Sequence, residues 1–180
     1  MHSFQSFKTQ RLFIKPTLEE DADLIYELMN TPKFIEHVGN RNINSIDDAA
    51  QYIQLKMLSQ LHKLGYSNYT LFTIENGEKI GICGLYNREG IAGVDIGFGL
   101  LPQYEGHGYA YEASKRIVKA GFEEFEIPTI KAITSKKNTA SQTLLHKLGL
   151  EMIGTTKLPN ENEELLLYEL ENKNRLQQEV

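Results

Sequence analysis

Residues 94–118 read VDIGFGLLPQYEGHGYAYEASKRIV. An apolar run ends at Pro102, a short polar loop carries Gly106 and Gly108, and an amphipathic segment follows. Glycine costs backbone entropy on folding, so two of them one residue apart need a reason. A turn that only glycine can adopt is one; a ligand that must approach the backbone is another. Neither a third glycine at Tyr111 nor a Lys-Ser/Thr pair after these glycines is present, which excludes a dinucleotide fingerprint and a phosphate loop here. What remains is strand, loop and the free N-terminus of a helix. Such an end presents unpaired N–H groups and about half a positive charge, which suits an anion. No lysine or arginine lies between Gln103 and Ser114, so the local sequence offers only backbone donors.

Working outward, Thr9–Thr17 reads as a strand and Leu18–Asn30 as a helix with an acidic first turn, ended by Pro32. Residues 33–45 look irregular. Ser45–Leu64 opens on Ser-x-x-Asp and runs helical to Gly65. Tyr69–Glu75 and Lys79–Tyr86 are strands joined by the hairpin signal Asn76-Gly77. Val94–Leu101 is the fourth strand. Tyr109–Glu126 is a helix stopped by Pro128, and Thr129–Ser135 the fifth strand. A short helix, Asn138–Leu148, closes at Gly149, and two strands (Leu150–Lys157, Glu164–Leu170) complete the order. The sequence therefore predicts one α/β domain over residues 1–180 with a mixed sheet and a polar tail from about residue 171.

The totals narrow the function. A chain of 180 residues with 41% hydrophobic and 24% charged residues is an ordinary globular domain. A net charge of −5 argues against a nucleic-acid binder. The single cysteine, Cys83, lies in the apolar run KIGICGLY and reads as a buried thiol. Histidines 2, 37, 62, 107 and 146 show no ligand spacing, so no metal is expected. With no membrane span and no secretory start in MHSFQSFKTQ, a cytoplasmic protein is expected.

Three motifs occur in order: Thr9-x-Arg11-Leu12 before an acidic helix; Gln103-Tyr-Glu-Gly106-His-Gly108; and Asn138-x-x-Ser141 followed by Lys147-Leu-Gly149. Together the chain resembles the GNAT acetyltransferase superfamily, its RimJ/RimL-like branch in particular. The resemblance implies a mostly antiparallel mixed sheet flanked by helices and splayed between the fourth and fifth predicted strands, with a bulge ending the fourth. Acetyl-CoA would lie in that opening. The backbone of Leu100 and Leu101 would pair with its pantetheine arm, and the N–H groups of Gly106, His107, Gly108, Tyr109 and Ala110 would hold its pyrophosphate. Gln103 would help fix the turn. Asn138 would hydrogen-bond the pantetheine, cap its own helix, or do both. The His107 side chain would face solvent.

The implied chemistry is acyl transfer to a primary amine: a peptide N-terminus or a small amine. Asp95 interrupts an apolar strand and is the candidate base; its other reading is the polar end of that strand. Many relatives carry a tyrosine seven residues after the asparagine as acid, but here that position is Leu145. Ser141 is the branch's alternative, set against a packing role. An α-amino group with pKa near 8 is roughly a tenth unprotonated at pH 7, while lysine, near 10.4, costs ~3.5 kcal/mol more to neutralise. A site without an unambiguous base favours the α-amino acceptor. A GNAT-fold acyl-CoA sensor without turnover is the rival class. Either a monomer or a homodimer is compatible with the chain.

Overall fold

The computed structural model describes residues 4–173. A short strand β1 (Phe7–Lys8) folds back on β2 (Leu12–Pro16), whose Leu12 and Ile14 point inward while Phe13 and Lys15 point out. This is the period-two alternation of a strand with one buried face. A 3₁₀ turn leads into α1 (Ala22–Met29), which buries Leu24, Ile25 and Leu28.

Two elements were not visible in the sequence: β1, and α2 (Pro32–Val38) inside the segment expected to be irregular. Pro32 does end α1, but it also starts α2. It sits at the first helical position, where its missing N–H costs nothing, and the Thr31 hydroxyl accepts from Phe34 N–H at 3.3 Å. Next, α3 (Ile46–Tyr52), capped by Ser45, runs through a π-helical stretch at Ile53–Leu58 into α4 (Ser59–Leu64). Gly65, at φ +82°, stops it.

The remaining chain follows the expected order: β3 (Asn68–Thr73), β4 (Lys79–Tyr86), β5 (Val94–Leu100), α5 (Tyr109–Glu123), β6 (Thr129–Ser135), α6 (Thr139–Lys147), β7 (Glu151–Thr156) and β8 (Leu165–Glu171). The eight strands form one sheet in the order β1-β2-β3-β4-β5-β6-β8-β7. Every pairing is antiparallel except β5 with β6. Of the expected polar tail, Glu171 belongs to β8 and Asn172 N–H bonds to Pro128 O at 2.9 Å; residues 174–180 lie outside the described residues.

Each face of the sheet has its own core. On one, α5 buries Ala113, Ile117 and Ala120 against Cys83, Leu85 and Ile96. On the other, α1 and the π-helical stretch bury Leu24, Leu28 and Ile53 against Ile82 and Leu101. Full burial of each large aliphatic side chain is worth ~1.5–3 kcal/mol, so the sheet is held from both sides.

The parallel pair is where the fold opens. β5 and β6 pair only at Val94↔Ile130 and Asp95↔Lys131, then part, while each stays paired to its outer neighbour. The expected bulge is not found on β5, which meets β4 in unbroken register from Tyr86↔Asp95 to Gly81↔Leu100. The nearby register shift belongs to β3 and β4, between Leu71 and Phe72.

Candidate active site

The gap between β5 and β6 opens toward their C-terminal ends, and a helix begins just beyond each. After β5, a 3₁₀ turn at Pro102–Tyr104 leads into the loop with Gly106 at φ +78° and Gly108 at φ +80°. Both glycines are therefore required by backbone shape. A Cβ on Gly106 would meet nothing within 4 Å, so the surface above it is open as well. Gly108 is the N-cap of α5 and supplies no side-chain cap. The first-turn N–H groups of α5 thus face outward without a side-chain acceptor, a donor set that fits the oxygens of a pyrophosphate.

The edge of β5 that faces the gap is set by alternation. Leu101 N–H donates to Ile80 O at 2.9 Å, on the β4 side, and Leu101 O accepts from Tyr104 N–H at 2.9 Å. Its amide cannot pair with a pantetheine, which corrects the expectation for Leu101. The alternate residues Ile96, Phe98 and Leu100 turn their backbone groups toward the gap instead. Gln103 is exposed and makes no side-chain hydrogen bond among the described residues; the turn is fixed by the Leu101–Tyr104 bond rather than by the glutamine. His107 and Gly108 are exposed, and Tyr109 and Ala110 are half-buried.

Across the gap, Asn138 is the N-cap of α6, its Oδ1 accepting from Ser141 N–H at 3.1 Å. Both residues are half-buried at the helix start. Leu145, at the tyrosine position of relatives, is 1% exposed and belongs to the core.

Asp95 sits at the closed end of the gap, roughly 16 Å along the strand from Leu100 at ~3.3 Å per residue. Its neighbour Ile96 points into the α5 core, so Asp95 faces the α1 side, with Gly99 against Leu28. It is 1% exposed and bound to Arg88: Nε lies 3.2 Å from each carboxylate oxygen and Nη2 3.1 Å from Oδ2. Burial raises the Asp95 pKa above the usual value, and the Arg88 charge opposes the rise without cancelling it. Arg88 also stacks over Tyr86 at 5.5 Å. It was missed in the sequence, although the hairpin register pairs Tyr86 with Asp95 and so places Arg88, two residues on, at the same face.

A second missed residue changes the electrostatics of the glycine loop. Arg11 arrives from the turn before β2 and stacks over the Tyr109 ring at 4.4 Å. Its Nη1 donates to His107 O at 2.9 Å and its Nε to Glu112 Oε2 at 2.7 Å. The loop thus has a cation after all, supplied from about a hundred residues away in sequence. Glu112, in the first turn of α5, also accepts from Arg11 N–H at 2.8 Å and from the Thr9 hydroxyl at 2.7 Å. Burial works to raise its pKa, but these hydrogen bonds and the Arg11 charge outweigh burial and hold it below the ordinary value.

Cys83 is fully buried, and burial pushes its thiol up to about 12, leaving it inert at neutral pH. Among the described residues no helix is long and apolar enough to cross a membrane, and no group of three or more His, Cys, Asp or Glu is placed to hold a metal.

A sheet that opens between two parallel strands, with a glycine-bearing helix start at the opening, is the acyl-CoA N-acyltransferase fold. The acetyltransferase (GNAT) domain matches residues 11–151, and the chain belongs to this family and is an N-acetyltransferase. Its sequence is 27% identical to the N-acetyltransferase p20 of Bacillus licheniformis, over 83% of this chain and 84% of that one. The fold matches an acetyltransferase (GNAT family) from Bacillus anthracis with a TM-score of 0.78 at 21% identity, covering 94% and 99% of the two chains. It also matches a ribosomal-protein-S5-alanine acetyltransferase from Vibrio fischeri (TM-score 0.72, 18% identity, 94% and 98% covered). A third match is an aminoglycoside acetyltransferase in complex with coenzyme A (TM-score 0.74, 19% identity, 94% and 99% covered).

Proposed function

We propose that the protein transfers the acetyl group of acetyl-CoA to a protein N-terminal α-amino group, as a member of the RimJ/RimL-like branch. The observation that carries the cosubstrate is the uncapped start of α5 at the mouth of the gap: open space over Gly106, free first-turn donors and Arg11 beside them. The Gly106–Ala110 backbone holds the pyrophosphate, and the arm runs along the open edge of β5 past Leu100. Asn138 supports it from α6 through Nδ2, since its Oδ1 is engaged in the cap.

In the reaction the amine nitrogen bonds to the thioester carbonyl carbon, the carbon–sulfur bond breaks, the amine loses a proton and the sulfur gains one. Ser141 donates to the departing sulfur, directly or through water. Asp95 takes the amine proton, directly or through water, because burial raises its proton affinity. Its pairing with Arg88 supports a second reading, a structural ion pair. Asp95→Asn decides between them: a lower kcat with a flattened rise against pH marks a base, and a parental pH–rate profile marks structure.

The acceptor assignment rests on proton economy. The one buried carboxylate on this strand is tied to a guanidinium, which suits an amine that is already partly neutral at pH 7. The Vibrio fischeri neighbour, named for a ribosomal-protein alanine, has the same fold. The test is a screen of peptides with free and blocked N-termini, polyamines and aminoglycosides with acetyl-CoA, following CoA thiol release. Free N-termini should give the highest kcat/KM, with blocked lysine-containing peptides far below. A small amine outperforming every peptide would overturn the α-amino assignment.

A further inference from the structure

We propose that Thr9, Arg11 and Glu112 form a clamp that holds the glycine loop in its CoA-binding shape, with Arg11 as a positioning residue for the pyrophosphate site. This rests on the reading of that loop as the CoA site.

Glu112 is an awkward residue to find there. A carboxylate in the first turn of α5 occupies the end of the helix that a phosphate would use, and two anions in one place repel. The structure offsets the conflict by tying the carboxylate to donors of the β1–β2 turn. Oε1 accepts from the Thr9 hydroxyl and Arg11 N–H, and Oε2 accepts from Arg11 Nε. Three donors, one of them charged, hold the group at the β1–β2 turn.

Arg11 then reaches onward. Its Nη1 holds His107 O, the peptide between the two left-handed glycines, and its plane covers Tyr109, the first residue of α5. Its Nη2 lies 3.5 Å from the position a Cβ on Gly108 would take. One guanidinium therefore cancels the Glu112 charge, fixes the orientation of the loop peptide and stacks on the helix start. Lysine cannot do all three, since it lacks the planar fork. The pairing also gives a physical meaning to Thr9-x-Arg11-Leu12: the threonine and arginine reach the loop while Leu12, fully buried, anchors the strand that carries them.

The test measures coenzyme A affinity by calorimetry and the acetyl-CoA KM and kcat for parent, Arg11→Ala, Arg11→Lys and Glu112→Gln, all well below their melting temperatures. Arg11→Ala should raise the CoA Kd and the acetyl-CoA KM about tenfold to a hundredfold, the range for a charged hydrogen bond. Its kcat at saturating acetyl-CoA should stay within about twofold. Arg11→Lys should recover little of the loss, and Glu112→Gln should lose less than Arg11→Ala. If Arg11→Ala lowers the melting temperature but binds CoA like the parent, Arg11 is only a tie between β2 and α5, and the clamp is overturned. If Arg11→Ala does not fold, Arg11→Lys decides: parental affinity there equally overturns it. A parent protein with no measurable CoA affinity overturns the loop reading itself, and is recognised before any variant is compared.

Discussion

Helices α5 and α6 begin side by side at the C-terminal ends of the two strands that part, and they begin differently. The start of α6 is closed by the chain itself, with Asn138 Oδ1 on Ser141 N–H. The start of α5 has a glycine in the cap position, no side-chain cap, and an arginine drawn in from the turn before β2. A helix N-terminus needs its donors satisfied. Where the chain supplies the acceptor, the end is closed by the chain itself; where it withholds one, and Arg11 offsets the Glu112 charge, the first-turn donors stay free for the anion proposed above. On the function proposed above, the two ends would divide the work: α5 would take the charged part of the cosubstrate, and α6 would lend fixed side chains to the thioester.

Breaking the open end should have the largest effect. Gly108→Val places a branched Cβ at φ +80° beside Arg11, in a backbone region such side chains avoid. Measurable CoA binding should disappear while the protein remains folded, with circular dichroism and calorimetry as the two readouts. Undiminished affinity would remove the loop from the site.

Ser141→Ala at the closed end comes next. Thiolate is a fair leaving group, since a thiol pKa near 8.5 is only about 1.5 units above neutral. One hydrogen bond to the sulfur suffices, and losing it should lower kcat on the order of 10²-fold, the low end for acid–base groups. CoA affinity should barely change, the pattern of an interaction made in the transition state. Full kcat would return Ser141 to helix packing.

Asn138 tests whether one side chain serves both ends of the comparison. Asn138→Ala should cost about 1 kcal/mol of stability by removing the cap. Asn138→Asp keeps the cap acceptor but lacks the Nδ2 donor, so it should melt like the parent and still bind CoA more weakly. Equal affinity in the aspartate variant would confine Asn138 to capping.

Much of this asymmetry was legible in the sequence, and the rest was not for identifiable reasons. Local patterns showed the strand–loop–helix at 94–118 and the Asn138 cap, because turn residues and periodicity act over a few positions; the opening between β5 and β6 was implied only by the family resemblance. The partners that tune the site come from afar. Arg11 meets Glu112 across 101 residues of chain, and no local spacing reveals that contact. The Leu101 amide was misassigned because both leucines look alike in sequence; only the register against β4 shows which one faces the gap. The helix at Pro32–Val38 was hidden by its own proline, read as a stop when it is also a start.

The smallest expected effect is on stability against pH, and it separates the two helix starts by charge. Glu112 lies in the first turn of α5, whereas α6 has no acidic residue in its first turn. The Glu112 carboxyl has its pKa depressed in the fold, so its contribution is present above the unfolded pKa and is lost as pH falls through the folded one. Glu112→Gln keeps an oxygen for Thr9 and the Arg11 amide but loses the charge. The Arg11 partner is 42% exposed, so solvent limits the pair to under ~1 kcal/mol. In a chain of this size that shifts the melting temperature by at most about 2–4 °C. The parent should therefore melt slightly above the variant at pH 7, and the two curves should converge as the pH is taken below the ordinary carboxylate range. Removing a carboxylate from beside a phosphate site by itself would favour CoA, but releasing the Arg11 fork loosens the loop. Weaker CoA binding in Glu112→Gln thus means that geometry outweighs charge at the open end. A constant melting difference down to pH 3 would show that Glu112 is not held by charge at all, and the contrast between the two helix starts would then rest on the glycines alone.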